Sequence, residues 1–451
     1  MKRRWIAVAF LACWVFPGAK LEAQDTNQNE AVQVLTLDEA VTTALGKNRL
    51  VKNAQLEAEK FDFRVHSIRT KRLPEFHVSA LELQLLKPVD FTFRQGVFGT
   101  FPGLGPIPGI DTVIKTPARP STFALGSIMQ PLSQQHKIGL GIHVQELERD
   151  IAREDLRAER QKIAAEVRSV YVSLVATQSG VDAAQEAVTT LREAKQTASR
   201  YEAERAILKA DVLQIEARLA KQEYQLSVAQ SGLATQREHL NQLMGRDIGT
   251  AFRVSFTPEI DPSELALDEA RRRALESRPE VRQARLRAKQ AEYARRIAKA
   301  EYIPDVSLAV GYLGIRSIEV IQNNAAAAGI YLSWEPFDWG RKRDSVSEKS
   351  KTLEQARNGI TETESQVAVE VGLKYRKWKD SSLLLAANRA AQEAAAEQLR
   401  VINNKFKEQE VLVKDLLQAQ AQSADADYQY QEALSQYWSA LADLRKAMGE
   451  E

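Results

Sequence analysis

Few residues in this chain are arranged for chemistry. The five histidines, His66, His77, His136, His143 and His239, show no ligand spacing with acids or cysteine on one helix or strand face, as a metal site would need. No phosphate-binding loop, nucleophile elbow or dinucleotide fingerprint occurs. The only cysteine, Cys13, sits in an apolar run near the N-terminus, so neither disulfide nor thiol chemistry is expected of the mature chain. The chain reads as a non-enzyme, with no catalytic, cofactor-binding or metal-ligating residues. What recurs instead is a pair of aspartates: Asp211 with Gln214, and Asp415 with Gln418, both written D-x-x-Q. In that pattern each carboxylate resembles the cap of a helix start, where it would accept from free backbone N–H groups.

The elements that must carry these aspartates are long. From residue 132 to residue 257 there is no proline, and between Ile142 and Met244 the only glycines are Gly180 and Gly232. Proline breaks a helix interior and glycine weakens it, so the composition permits helix throughout. Apolar residues recur in a 4–3 rhythm at Ile163, Val167, Val170 and Leu174, then at Val181, Ala184, Val188 and Leu191, which is a coiled-coil seam. The 115 residues after Pro336 also lack proline. Two long helical hairpins are expected. One helix over 134–200 would be ~100 Å long, the return helix 211–244 ~51 Å, and an earlier helix 50–73 ~36 Å. Laid end to end, the two shorter helices nearly match the long one, as in a cylinder where single helices alternate with stacked pairs.

At 451 residues the chain exceeds one ordinary core, which stops growing near ~250–300 residues. Only 44% of it is hydrophobic and 7% aromatic, so much of its length must lie in thin, two-sided structure. The start MKRRWIAVAFLACWVFPGAKLEAQ reads as a secretory signal peptide over residues 1–23, with a basic beginning and an apolar run too short to span a bilayer. Cleavage after Ala23 would remove four basic residues and one acid, leaving 58 basic against 59 acidic. No basic balance then points to nucleic acid. Lipidation at Cys13 is not expected, since Leu11 stands one place late for a lipoprotein site. No later segment offers ~18 consecutive apolar residues, so no transmembrane helix is expected.

The chain is duplicated. LTLDEAVTTAL at residue 35 recurs as LALDEARRRAL at residue 265, and Leu35, Leu37, Asp38, Glu39, Ala40, Ala44, Leu45, Val51 and Pro74 all recur 230 positions later. Asp38 and Asp268 suit a helix start. In the long helices the shift becomes 204: Glu166, Val167 and Tyr171 recur as Glu370, Val371 and Tyr375, and Met244-Gly245 as Met448-Gly449. The expected organisation is a polar tail 24–34, a first repeat 35–250, a linker 251–264 and a second repeat 265–451. The change of shift marks an insertion in the first repeat, the loop Pro88–Pro120 with Phe91, Phe93, Phe98 and Phe101, which reads as a surface loop with aromatics for a membrane interface.

Strand signals lie between the matched parts. Val306, Leu308, Val310 and Tyr312 alternate with small residues, and Ile330, Leu332 and Trp334 alternate before Pro336. In the first repeat Phe76, Val78 and Ala80 alternate, then the pattern shifts to Leu81, Leu83 and Leu85, which a bulge near Ala80 would explain. A partner strand falls near Thr122–Gln130. Four strands of this length suit a bilayer but leave open edges, which lipid does not tolerate. A closed barrel must then draw strands from two, three or four copies of the chain.

The duplicated LxLDEAxxxAL starts, the helix–Pro–strand junctions and the tip segments KADVLQIEA and VKDLLQAQA resemble the TolC family of outer membrane efflux proteins over nearly the whole mature chain. The resemblance implies a mainly α fold with a small β part. Duplicated long hairpins would form an α-helical barrel in the periplasm, and four strands per chain would enter a twelve-stranded transmembrane β-barrel of a homotrimer. It implies an exit duct in the outer membrane for small molecules or polypeptides, a periplasmic adaptor protein, and an inner-membrane transporter that supplies the energy. It also implies that an aspartate lines the periplasmic constriction; the matching position is Asp415, with Asp211 as its counterpart. Adaptor contacts would fall on the hairpin tips, at Arg205, Ala206 and Ile207 and at Gln409, Val411 and Leu412. Where the family tends to have glycine at each tip this chain has Arg205 and Gln409, and a second acidic position one turn on is Gln418. The reading from another class is a non-channel coiled-coil adaptor or scaffold in the periplasm, which would need neither the duplication nor the strands.

Overall fold

A computed structural model describes residues 33–84, 86–116, 120–255, 265–316, 323–408 and 410–450. The signal peptide, the lipidation question and most of the polar tail lie outside them, as does the linker beyond residue 255. In the first repeat the elements are β1 (Gln33–Leu35), α1 (Leu37–Lys47), α2 (Arg49–Thr70), β2 (Glu75–Gln84), β3 (Val89–Phe93), β4 (Thr100–Phe101), β5 (Gly105–Pro106), β6 (Thr112–Thr116), β7 (Pro120–Pro131), α3 (Gln134–Ala203) and α4 (Lys209–Leu243). Then follow β8 (Phe252–Val254), α5 (Leu267–Ser277), α6 (Pro279–Ala300), β9 (Asp305–Arg316), β10 (Asn324–Ser333), α7 (Arg341–Lys407) and α8 (Val413–Ala447).

The helix lengths obey the expected arithmetic. α3 has 70 residues and α7 has 67, each ~100 Å long. α2 and α4, with 22 and 35 residues, stack to ~86 Å, and α6 and α8 have the same two lengths. α3 is the spine: α2 and α4 pack on it, as do α6 and α8, and α7 packs on α6 and α8. The lateral order is therefore α2/α4, α3, α6/α8, α7. The four-stranded sheet has the order β2, β7, β9, β10. Each strand sits in line with the helix it joins, so one ordering runs through both layers.

β2 pairs with β7 in unbroken antiparallel register from Glu75 opposite Met129 to Gln84 opposite Pro120. The bulge expected near Ala80 is absent. The shift in the apolar pattern is a true change of face and not an inserted residue, since the register runs through it unbroken. Near the helices Phe76, Val78, Ile128, Val310 and Tyr312 share one face by register. Toward the far end Leu81, Phe123 and Ile315 share the other face, and there Ile315 and Ser121 are buried by the chain itself. The inserted loop is folded as well: β3 pairs with β6, and β4 with β5 inside that hairpin, with Phe93 and Phe98 rings 5.3 Å apart.

The first repeat is fastened at mid-length to the segment that follows it. β1 and β8 pair in parallel over a core that includes Ile163, Val167, Tyr171, Leu240 and Met244. The Tyr171 hydroxyl lies 2.7 Å from Leu35 O and 2.8 Å from Ser255 O, its single proton shared between the two carbonyls. Burial pushes that hydroxyl up to about 12. Its counterpart Tyr375 donates to Leu265 O at 2.9 Å. The recurring Met-Gly has a steric cause. Gly245 and Gly449 hold φ of 66° and 83°, and a Cβ on Gly245 would stand 2.3 Å from Lys47 O, so only glycine fits where α4 ends against the α1–α2 junction.

At that junction the repeats diverge. Asn48 caps α2, accepting from Leu50 N–H at 2.8 Å and donating to Leu243 O at 2.8 Å. The corresponding residue of the second repeat is Arg278, which is 7% exposed. Its guanidinium binds Glu280 at 3.1 Å and reaches across to Glu370 on α7. Burial opposes the Glu280 charge, but hydrogen bonding from Arg278 outweighs it and holds the carboxyl below its ordinary 4.5. Replacing Arg278 by Ala should cost about 1–3 kcal/mol in thermal or denaturant unfolding, since it strands two carboxylates whose partner was buried. A carboxylate depressed in the folded state adds stability that is complete above its unfolded value and lost as pH falls through the folded one. The gap between the native chain and Arg278→Ala should therefore shrink as pH drops below about 4.5; a gap that stays constant to lower pH would contradict this account.

Candidate functional site

The hairpin tips are the places where the sequence puts its candidate residues. α3 ends in a left-handed turn: Arg205 N–H donates to Glu202 O at 2.9 Å and Ala206 N–H to Tyr201 O at 2.8 Å, with Arg205 at φ 64°. This is the Schellman arrangement that usually takes glycine at the left-handed position. The absence of glycine leaves the turn type unchanged and places an arginine in a conformation few L-residues adopt. The second tip repeats the longer bond, Glu410 N–H to Lys405 O at 2.9 Å. Gln409 itself lies outside the described residues.

After each turn the chain runs extended through one leucine and then starts the return helix. Leu208 and Leu412 are the N-caps of α4 and α8, with ψ of 150° and 155°. Neither side chain can cap. The carboxylates three residues on do so in reverse: Asp211 Oδ2 accepts from Leu208 N–H at 3.0 Å, and Asp415 Oδ2 from Leu412 N–H at 3.2 Å. The D-x-x-Q reading thus has the right function and the wrong frame. Each aspartate stands in the third helical position rather than at the cap, because Lys209-Ala210 and Val413-Lys414 are already helical. There it also meets the positive end of the helix. Gln214 and Gln418 lie past the cap, a turn further along.

The two tips pack on each other through one core of Ala198, Val212, Ile215, Phe406, Val413 and Leu416, against which Ile207 and Val411 are partly buried. Of the tip residues singled out in the sequence, Arg205, Ala206 and Leu412 are exposed, while Ile207 and Val411 turn inward. Sequence reasoning missed Leu208, which is 72% exposed beside Leu412 at 71%. The 204-residue repeat shift that relates the two would have found it. Asp415 is exposed and Asp211 half-buried, so both carboxylates keep access to solvent while engaged as caps.

Of the histidines, His143 Nδ1 lies 3.0 Å from Glu146 and its ring stacks near Tyr293; His239 lies 3.8 Å from Glu166. Among the described residues no three His, Cys, Asp or Glu side chains gather as a metal set. No described helix is long and apolar enough to cross a membrane, which bears on helices and not on a β-barrel.

Residues 270–450 match the family model described as outer membrane efflux protein. No curated protein matches the chain. The fold is similar over nearly its full length to a membrane protein from Pseudomonas aeruginosa, with 17% identity, a TM-score of 0.73, and 93% of this chain and 91% of that one covered. It is likewise similar to the CmeC outer membrane channel of Campylobacter jejuni (16% identity, TM-score 0.71, 92% and 85% covered). The open state of the MtrE outer membrane channel of Neisseria gonorrhoeae compares similarly, at 18% identity and a TM-score of 0.69, with 92% and 89% covered. The TolC-like resemblance thus holds in the sequence of the second repeat and in the fold of the whole chain, and a non-enzymatic reading agrees with that family.

The tip turn carries a direct test. Replacing Arg205 by Gly should stabilise the chain by about 1 kcal/mol, because the left-handed position loses its steric penalty. Denaturant unfolding in detergent measures it, and a loss of stability would mean that the arginine side chain holds the tip.

Proposed function

We propose, from a second repeat that matches the outer membrane efflux proteins and a fold shared with outer membrane channels, that this chain is the exit duct of an export system. Three copies form a twelve-stranded barrel in the outer membrane and a helical tunnel reaching into the periplasm. Cargo passes through it without an energy source of its own; an inner-membrane transporter, joined through a periplasmic adaptor, supplies the drive.

The observation that carries this reading is a pair of matched open edges. β2 and β10 are the sheet edges, and directly below them α2/α4 and α7 are the helical edges. Both helical edges expose apolar side chains: Phe63 (74%) and Tyr224 (70%) on one flank, Val369 (68%) and Leu383 (66%) on the other. A head-to-tail contact that sets β10 and α7 of one copy against β2 and α2/α4 of the next covers both layers at once, and such heterologous contacts close into rings. Three copies supply twelve strands, within the range of single-walled outer membrane barrels. A scaffold or adaptor has no use for unpaired sheet edges beside an apolar sheet face.

In that trimer Asp211 and Asp415 would form rings of carboxylate at the periplasmic mouth, where focused negative potential favours cations. Arg205, Ala206, Gln409 and the exposed Leu208 and Leu412 would meet the adaptor, while Ile207 and Val411 support them from within. Membrane fractionation followed by electrophoresis in detergent, with and without heating, should give a heat-resistant trimer; a soluble monomer would end the channel reading. Leu412→Asp should leave that trimer intact and cut export by roughly tenfold or more, since a charge would sit in a desolvated contact. Unchanged export with Leu412→Asp would remove the tip from the adaptor interface.

A further inference from the structure

The turn between β10 and α7 holds a bulky aromatic residue in a backbone conformation that L-residues seldom adopt. Trp339 has φ 57° and is followed by Gly340 at 92°, and its side chain is 90% exposed. Phe337, also exposed, meets it edge-on at 4.7 Å between ring centroids. The turn is pinned from behind by polar contacts. Asp338 accepts from Gly340 N–H at 3.1 Å and from Lys342 N–H at 2.9 Å. Lys342 Nζ donates to Glu335 O at 2.6 Å, and Arg341 binds the Glu335 carboxylate. A rigid, strained turn that presents two aromatic rings to the outside is a device in want of a surface.

We infer that this turn is an anchor in the phospholipid headgroup–acyl boundary of the leaflet nearest the helical tunnel. The inference rests on the outer membrane reading above. Trp334 continues the alternation of Ile330 and Leu332, so the aromatic cluster prolongs the apolar face of the sheet. That prolongation is needed. From Ala326 to Trp334 are eight residue steps, which at ~3.3 Å each and a tilt of ~40° cover about 20 Å, short of the ~25 Å apolar band of outer membrane barrels. Phe337 and Trp339 extend the band on the helical side. The other three helix–strand junctions expose Leu73, Leu132 and Tyr302, so the belt continues around the base of the sheet with its strongest member at Trp339. Indole rings favour this depth because they combine an apolar body with one N–H donor.

The mature chain in vesicles of phosphatidylethanolamine and phosphatidylglycerol tests this by tryptophan quenching, with bromines placed near the headgroup or deep in the acyl chains. Trp378 and Trp438 lie on α7 and α8, away from the sheet, and serve as unquenched references. In Trp334→Phe, shallow bromines should quench the Trp339 emission about twofold more strongly than deep ones. Trp339→Gly, which also frees the backbone and so keeps the fold, should delete that shallow component and leave Trp334 quenched. Trp334 quenched with Trp339 insensitive would overturn the anchor alone and hand the turn to water or a protein partner. Neither residue quenched would overturn the anchor together with the outer membrane reading on which it rests.

Discussion

Unpaired backbone is the constraint on which the rest of this structure depends. A four-stranded sheet with an apolar face cannot stand in lipid while β2 and β10 keep free N–H and C=O groups along one side each. Soluble proteins blunt such edges with charge, proline or a covering helix. Here β10 is lined with Ala326, Ala327 and Ala328 and then with Ile330, Tyr331 and Leu332, all exposed. The edge is kept clean, as an edge meant for pairing must be. Because each strand continues the helix beneath it, whatever satisfies the strand edges must also seat the flanks of α7 and of α2/α4.

The duplication makes that double closure simple. Two repeats with the same order of short helix, strand, strand, long helix and return helix give a protomer whose neighbours inside the chain foreshadow its neighbours outside it. The join between α2/α4 and α3 within one repeat is the kind of join that a second copy would make with α7. Mid-length fastening closes each repeat on itself and joins one to the other. Tyr171 holds the ends of β1 and β8, Gln161 donates to Gly449 O at 2.6 Å across the repeats, and the two left-handed glycines let α4 and α8 end in contact with the short-helix junctions. These contacts are few against helices of ~100 Å, so small local choices fix a large geometry.

Much of this was legible in the sequence because it is written as period and punctuation. Long proline-free runs, the repeat shifts of 230 and 204, and prolines at Pro74, Pro131, Pro304 and Pro336 locate every long element to within a few residues. The frame of local caps was less legible. Asp211 and Asp415 cap their helices from the third position because the residues before them had already turned helical, and a D-x-x-Q pattern looks the same in either frame. The change of apolar face along β2 was read as a bulge because one strand does not say what its far end packs against. Only the pairing with β7, and the burial of Ile315 two strands away, separates an inserted residue from a switch of environment. The left-handed Arg205 was hidden for a simpler reason: glycine signals such a turn, and its absence signals nothing.

The positions where the two repeats disagree mark where one scaffold is put to two uses. Asn48 caps a helix with neutral hydrogen bonds, and Arg278 in the same place binds two carboxylates and reaches α7, which lies at the edge of the protomer rather than at its centre. At the sheet the first repeat spends its extra length on the folded hairpin of β3 and β6 beyond the far end. The second repeat has the shorter segment between its strands and places its aromatic residues at the near end instead, on the strained turn after β10. Exact symmetry would give both repeats the same features at both ends of the barrel. On the proposed reading, that division would direct one repeat outward beyond the membrane and leave the other to set the depth at which the tunnel hangs below it.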